Sequence, residues 1–217
     1  MPMNGLIDQA PDLILLSLAL GIVPLACVLA TSYTKIAIVF ALLKNAIGIQ
    51  QVPSMLMTNA LALVITAYVM APVALDAAHH LKEPAPRSIS RGEWLMRSVA
   101  VPLGKFMKKH VDPREQERLL ETSKRIWPKD VQAQTGKDDL FILLPAFAIS
   151  EISAAFKIGF VLYLAFVAVD LIVANVLMAM GMIMFSPTVV SIPLKLILFV
   201  AVDGWSRLIQ SLILTYQ

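Results

Sequence analysis

The run from Ile158 to Met184 is apolar except for Asp170 and Asn175. It exceeds the ~20 residues that a helix needs to cross a bilayer. Such a run restricts the chain to a membrane setting or to a very large core, and composition decides between them. Of 217 residues, 58% are hydrophobic and only 15% charged, with a mean hydropathy of +0.76. A soluble domain carries roughly a quarter charged residues, so the class is integral membrane.

Three further apolar segments accompany this run. Residues 13–30, LILLSLALGIVPLACVLA, approach spanning length, with Pro24 as a kink. The preceding stretch, MPMNGLIDQAPD, has no lysine or arginine. It therefore lacks the basic region of a cleaved signal, and segment 13–30 is expected to be retained. Residues 54–78 are long enough to span, with Pro72 near their end. Residues 188–214 form the last segment and carry Lys195, Asp203 and Arg207. Between the first two lies TSYTKIAIVFALLKNAIGIQQVP. There Thr31, Ser32 or Thr34 can cap a helix, and Gly48 and Pro53 end it. Its apolar core between Lys35 and Lys44 is eight residues, too short to span.

Charge is concentrated elsewhere. Residues 79–139 hold 13 of the 18 basic and 9 of the 15 acidic side chains. Within this polar module GEWLMRSVAVPLGKFMKKH is amphipathic, with Trp94, Leu95, Val99, Leu103, Phe106 and Met107 on one side. DPREQERLLETSKRIW opens with Asp112 as N-cap, Pro113 at the first helical position and Glu115 completing a capping box. The expected architecture is an all-α membrane protein with four apolar transmembrane-like helices, some kinked. Residues 1–78 form the N-terminal apolar helices, 79–139 a helical polar module, and 140–217 a C-terminal apolar pair with a methionine-rich bend. The short loops opposite the module carry Lys35, Lys44 and Lys195 and no acid, which by the positive-inside rule places them in the cytoplasm and the module in the periplasm.

No catalytic pattern is present. His79 and His80 are adjacent and His110 stands alone, without metal-ligand spacing, and they read as solvated loop residues. There is no phosphate-binding glycine loop and no nucleophile in a recognisable setting. Cys27 is the single cysteine, so no disulfide forms within the chain. No enzyme, cofactor, metal or nucleic-acid function is expected.

The charges inside apolar runs carry more meaning. Glu151, Lys157, Asp170, Lys195, Asp203 and Arg207 would each cost about 2.5–3.5 kcal/mol at a bilayer centre. They must pair, line water or lie outside lipid. Lys157 and Arg207 can reach an interface by snorkelling. Asp170, twelve residues into its run, cannot. It could carry protons in an ion-coupled transporter, or meet charges of neighbouring copies in an assembly. Met178, Met180, Met182 and Met184 are a second signal, since methionine suits surfaces that must re-pack. On a helix Met178 and Met182 share one face and Met180 and Met184 the next. With Gly181 between them and Pro187 after them, the element is a helix end or a bent loop, and methionine as ordinary filler remains open.

The blocks TSYTKIAIVFALLKNAIGIQQVP, YVMAPV, PAFAISEISAAFKIGF, VDLIVANVLMAMGMIMFSP and IPLKLILFVAVDGW resemble, in order, the FliP/YscR/SctR family of type III secretion export-gate proteins. The resemblance covers about residues 24–216, weakly across the polar module. It implies a bacterial inner-membrane, multi-pass subunit, partly displaced toward the periplasm. Several copies, five on the family pattern, would join two smaller membrane proteins of the system. Larger export-gate and switch components, membrane lipid and unfolded secreted substrates complete the implied partners. It also implies a pore-lining methionine gasket at Met182, Ile183 and Met184, where Ile183 departs from the family's unbroken methionine run. Glu151 and Lys195 fall on positions linked to contacts between copies, and Asp170 on one linked to assembly or export. The absence of a cleavable signal favours the injectisome branch over the flagellar one.

Overall fold

The computed structural model describes residues 21, 28–49, 53–84, 91–182 and 184–217, and among them every regular element is a helix. In chain order these are α1 (Tyr33–Ile47), α2 (Met55–Lys82), α3 (Arg91–His110), α4 (Pro113–Ile126), α5 (Lys129–Gln134), α6 (Leu140–Ala179), α7 (Pro187–Ala201) and α8 (Gly204–Leu214). Most of segment 13–30, with Pro24 and Cys27, lies outside the described residues.

Two helices are long and apolar enough to cross a membrane, α2 and α6, and α7 with α8 makes a third only if the bent pair is one span. The segment expected at 188–214 is broken, because α7 and α8 meet at 63°. Asp203 at the break takes the left-handed conformation (φ 54°), which a non-glycine residue adopts at a cost. Gly204 follows because a Cβ there would stand 2.3 Å from the Phe199 ring.

The PAF stretch and the run at Ile158 belong to one helix, α6. Pro145 sits in the second turn of α6 and removes one helical hydrogen bond there, yet the helix runs on to Ala179, 40 residues in all. At 1.5 Å per residue it is about 60 Å long, twice a ~30 Å hydrocarbon core. Asp139 caps its start by accepting a hydrogen bond from the Phe141 N–H at 2.9 Å.

Short as it is, α1 forms the centre of the fold. Ile36, Val39, Phe40, Leu43 and Ile47 recur at helical spacing and are all buried, packed with Ala155 and Phe166 of α6, Phe199 of α7 and Leu208 and Leu212 of α8. The backbones of α1 and α6 approach closely at Gly159, where a Cβ would lie 2.2 Å from Leu42 Cδ1. Gly48 ends α1 in a Schellman turn at φ 90°. Its N–H meets Asn45 O at 3.2 Å, and the Ile49 N–H meets Lys44 O at 3.2 Å. The capping candidates divide their hydroxyls differently from expectation. Thr31 Oγ1 accepts from the Tyr33 N–H, Thr34 donates to Val28 O, and the buried Ser32 hydroxyl has no partner among the described residues.

The polar module shares a second core with the apolar helices: Phe106, Met107 and Val111 pack on Met70 of α2 and on Leu143, Ala146 and Phe147 of α6. Only the C-terminal half of the amphipathic face of α3 is buried, since Leu95 and Val99 remain exposed. At α4 the expected reciprocal cap is replaced by a tertiary one. Asp112 Oδ1 accepts from the Arg114 N–H at 2.9 Å, but the Asp112 N–H donates to Ser150 Oγ of α6 at 2.9 Å. Glu115 turns instead to Arg118, 2.8 Å away. His79 and His80 belong to the last turn of α2, not to a loop. His110 is half-buried against the rings of Phe106 and Tyr216.

Much apolar surface stays uncovered. The chain presents 14956 Å² of accessible surface, against about 10,000 Å² for a compact soluble monomer of its mass. The most apolar stretch of α6 is only 11% buried, and that of α2 22%.

Candidate functional site

Three arrangements gather the residues singled out by sequence. The first is a buried ion pair between α1 and α6. Lys35 Nζ lies 3.2 Å from Glu151 Oε1, with both side chains almost fully buried. A second hydrogen bond runs from Lys35 Nζ to Thr215 Oγ1 at 3.2 Å, and the ammonium sits 3.8 Å above the Tyr216 ring. The Tyr216 hydroxyl donates to Glu151 Oε2, so both carboxylate oxygens are engaged. Such closure is what a buried charge requires, because an unpaired one would cost several kcal/mol. Burial pulls the Lys35 ammonium below its ordinary value, and the Glu151 carboxylate offsets this only in part. Burial and the neighbouring carboxylate push the Tyr216 phenol well above its usual range, which keeps it a hydrogen donor.

The second arrangement joins α6, α7 and α1. Lys195 Nζ donates to Asp170 Oδ2 at 2.6 Å and to Ala46 O, in the last turn of α1, at 3.1 Å. Lys195 is buried, whereas 42% of the Asp170 side chain is exposed. Among the described residues Glu151 and Lys195 do not pair with each other. Each is satisfied inside its own chain, by Lys35 and by Asp170.

The third is the methionine turn. α6 ends at Ala179, so Met182 and Met184 stand beyond it and do not continue its helical faces. Gly181, at φ 74°, closes the helix with a second Schellman turn. Its N–H meets Met178 O at 3.0 Å and the Met182 N–H meets Leu177 O at 2.9 Å. A turn follows, closed by the Phe185 N–H on Met182 O at 3.2 Å, before Pro187 opens α7. Met178, Met180 and Met184 are exposed, Met184 completely, and Met182 is partly so. Ile183 lies outside the described residues.

Sequence reasoning missed the partners rather than the charges. Glu151 in an apolar run demanded a cation, yet Lys35 served there only as a bracket around a short segment. Tyr216, the penultimate residue, carried no signal. Among the described residues no three His, Cys, Asp or Glu side chains converge as metal ligands.

Residues 15–212 match the FliP family. The chain is 46% identical to the pathogenicity-related ORF2 of Xanthomonas campestris pv. glycines over 215 residues, covering 96% of this chain and 100% of that one. It is 42% identical to the hypersensitivity response secretion protein HrcR of Ralstonia nicotianae over 210 residues, 95% and 97% of the two chains. It is also 42% identical to the Yop proteins translocation protein R of Yersinia pestis over 214 residues, 96% and 98% of the two. With the family match running through α1, both ion pairs and the methionine turn, the chain belongs to the FliP family.

Proposed function

We propose that this protein is a core subunit of a type III secretion export gate in the bacterial inner membrane. Several copies, with two smaller membrane proteins of the same system, ring a path for unfolded secreted polypeptides. Met182, Ile183 and Met184 form the seal of that path. The observation that carries this reading is the exposure of Met184 on a turn whose backbone is closed by its own hydrogen bonds. A side chain that contributes little to its own fold is free to meet another surface. Thioether chains re-pack around varied shapes at little cost, and an apolar constriction blocks ions by excluding water.

Assembly would use the half-exposed Asp170, held by Lys195, as a contact between copies. Glu151 would act from within, by fixing α6 to α1 and to the C-terminal tail. The ~60 Å reach of α6 supports an assembly that rises out of the bilayer toward the periplasm, with the 79–139 module on that side. Homology to secretion proteins named for virulence and hypersensitivity favours the injectisome branch.

The test is conductance. In the assembled complex reconstituted in planar bilayers, Met182→Ala with Met184→Ala should raise resting ion leak by at least about tenfold, as a dewetted constriction becomes wet. Unchanged leak would remove the seal from the mechanism. Asp170→Asn separates this reading from an ion-coupled transporter: the gate loses assembled complex, whereas a transporter would keep its assembly and lose only flux.

A further inference from the structure

Between α6 and the α7–α8 bend runs an apolar groove of about 760 Å³, a volume typical of ligand sites. Val161, Leu162, Ala165 and Phe166 line one wall, and Phe199 and Leu208 the other. Its charged lining consists of Lys157 and Arg207, both cations, with no acid. Both are exposed, and neither has an ion-pair partner among the described residues.

The dimensions are those of a lipid leaflet. α6 lines the groove from Lys157 to Val169, a rise of about 18 Å, close to half of a ~30 Å hydrocarbon core. α7 and α8 run antiparallel to α6, since Lys195 meets Asp170 at one end and Tyr216 meets Glu151 at the other. That course sets Arg207 toward the Lys157 half of the groove. A greasy trough one leaflet long, with two unpaired cations in one half, complements an amphiphile with acyl chains and an anionic headgroup.

We propose that this groove binds an anionic phospholipid, its acyl chains along Val161, Leu162, Ala165 and Phe166 and its phosphate held by Lys157 and Arg207. The guanidinium offers a fork for two phosphate oxygens and the ammonium a point charge. Basic pockets between membrane helices hold anionic headgroups in this way. The lipid would cover surface that α6 leaves bare and wedge the bent α7–α8 pair against it. This inference does not depend on the gate reading, since it needs only a membrane chain with this groove.

The test uses the full-length protein purified in detergent, exchanged against equimolar phosphatidylglycerol and phosphatidylcholine with identical acyl chains, and read by native mass spectrometry. Wild type should retain phosphatidylglycerol in excess. Lys157→Gln with Arg207→Gln should lose that excess by about fivefold for each cation removed, while Lys157→Arg with Arg207→Lys keeps it. Neutralising two cations of the polar module, Lys108→Gln with Lys124→Gln, should leave it unchanged. Ala165→Trp, which fills the groove without touching charge, should reduce retention of both lipids. Equal retention of the two lipids by wild type, or an undiminished excess in the Lys157/Arg207 variant, overturns the proposal. So does a photo-crosslinker at Leu162 that captures a second copy or another protein in the membrane instead of lipid.

Discussion

Around α1 the molecule is closed: inward side chains from Ile36 to Ile47 are buried, and Lys35 and Lys195 both end on carboxylates. The turn after α6 is the reverse, with hydrogen bonds across its backbone, Met180 and Met184 in the open and Met182 partly so. Both regions are built from the same apolar vocabulary, so composition does not separate them. What separates them is who supplies the partner. The α1 region finds its own, while the methionine turn leaves Met184 uncovered, to be met by another molecule on the proposed reading.

The sharpest way to break this contrast is at the buried pair. Glu151→Ala strands the Lys35 cation and should cost about 3–5 kcal/mol, read as a large drop in thermal unfolding temperature in detergent. Lys35→Met with Glu151→Met and Tyr216→Phe should recover most of the loss, because an apolar replacement of a buried pair is often neutral. A Glu151→Ala protein that melts with wild type would show that the closed region is not closed. Tyr216→Phe alone removes one hydrogen bond to a charged acceptor and should cost about 1.5–3 kcal/mol, with the tail released to proteolysis.

A smaller effect comes from acid. Burial lowers the His110 imidazole below its ordinary 6.5, with Lys109 and Lys35 adding repulsion. The unfolded chain therefore binds this proton first, and stability falls as pH drops below about 6.5. His110→Gln should flatten that part of the acid slope in melts taken from pH 7 to 5; an unaltered slope would place the dependence elsewhere. Smallest of all, Met184→Ala should change unfolding by no more than about 0.5 kcal/mol, as for other surface positions. A larger loss would mean that Met184 is packed into its own fold, and the contrast would fail.

Much of this was legible in the sequence, but not evenly. Helical class, α2 and the start of α4 followed from apolar run length and from Asp112–Pro113. The central place of α1 did not, because a segment too short to span looked peripheral and nothing local says that neighbours will wrap it. The continuity of α6 was not legible, because Pro145, Glu151 and Lys157 interrupt the apolar pattern ahead of Ile158 and nothing local says that the helix runs through them. The break between α7 and α8 depends on one left-handed residue, Asp203, in an otherwise spanning-length run. At the methionines, Gly181 and Pro187 pointed to a helix end or a bent loop, and the helix does end at Ala179, which removes the face-sharing inferred from spacing. Partner identity was the least legible feature, since Lys35–Glu151 and Asp170–Lys195 join residues far apart in sequence.

The central claim is that the exposed methionines are exposed for a passing polypeptide. A photo-crosslinking residue placed at Met184, in cells carrying a secretion substrate stalled by a folded C-terminal domain, tests it directly. The account predicts an adduct between this position and the unfolded part of the substrate, absent when the residue is placed on α2 at Leu63. Adducts only to lipid or to neighbouring subunits, with the substrate demonstrably stalled, would contradict it.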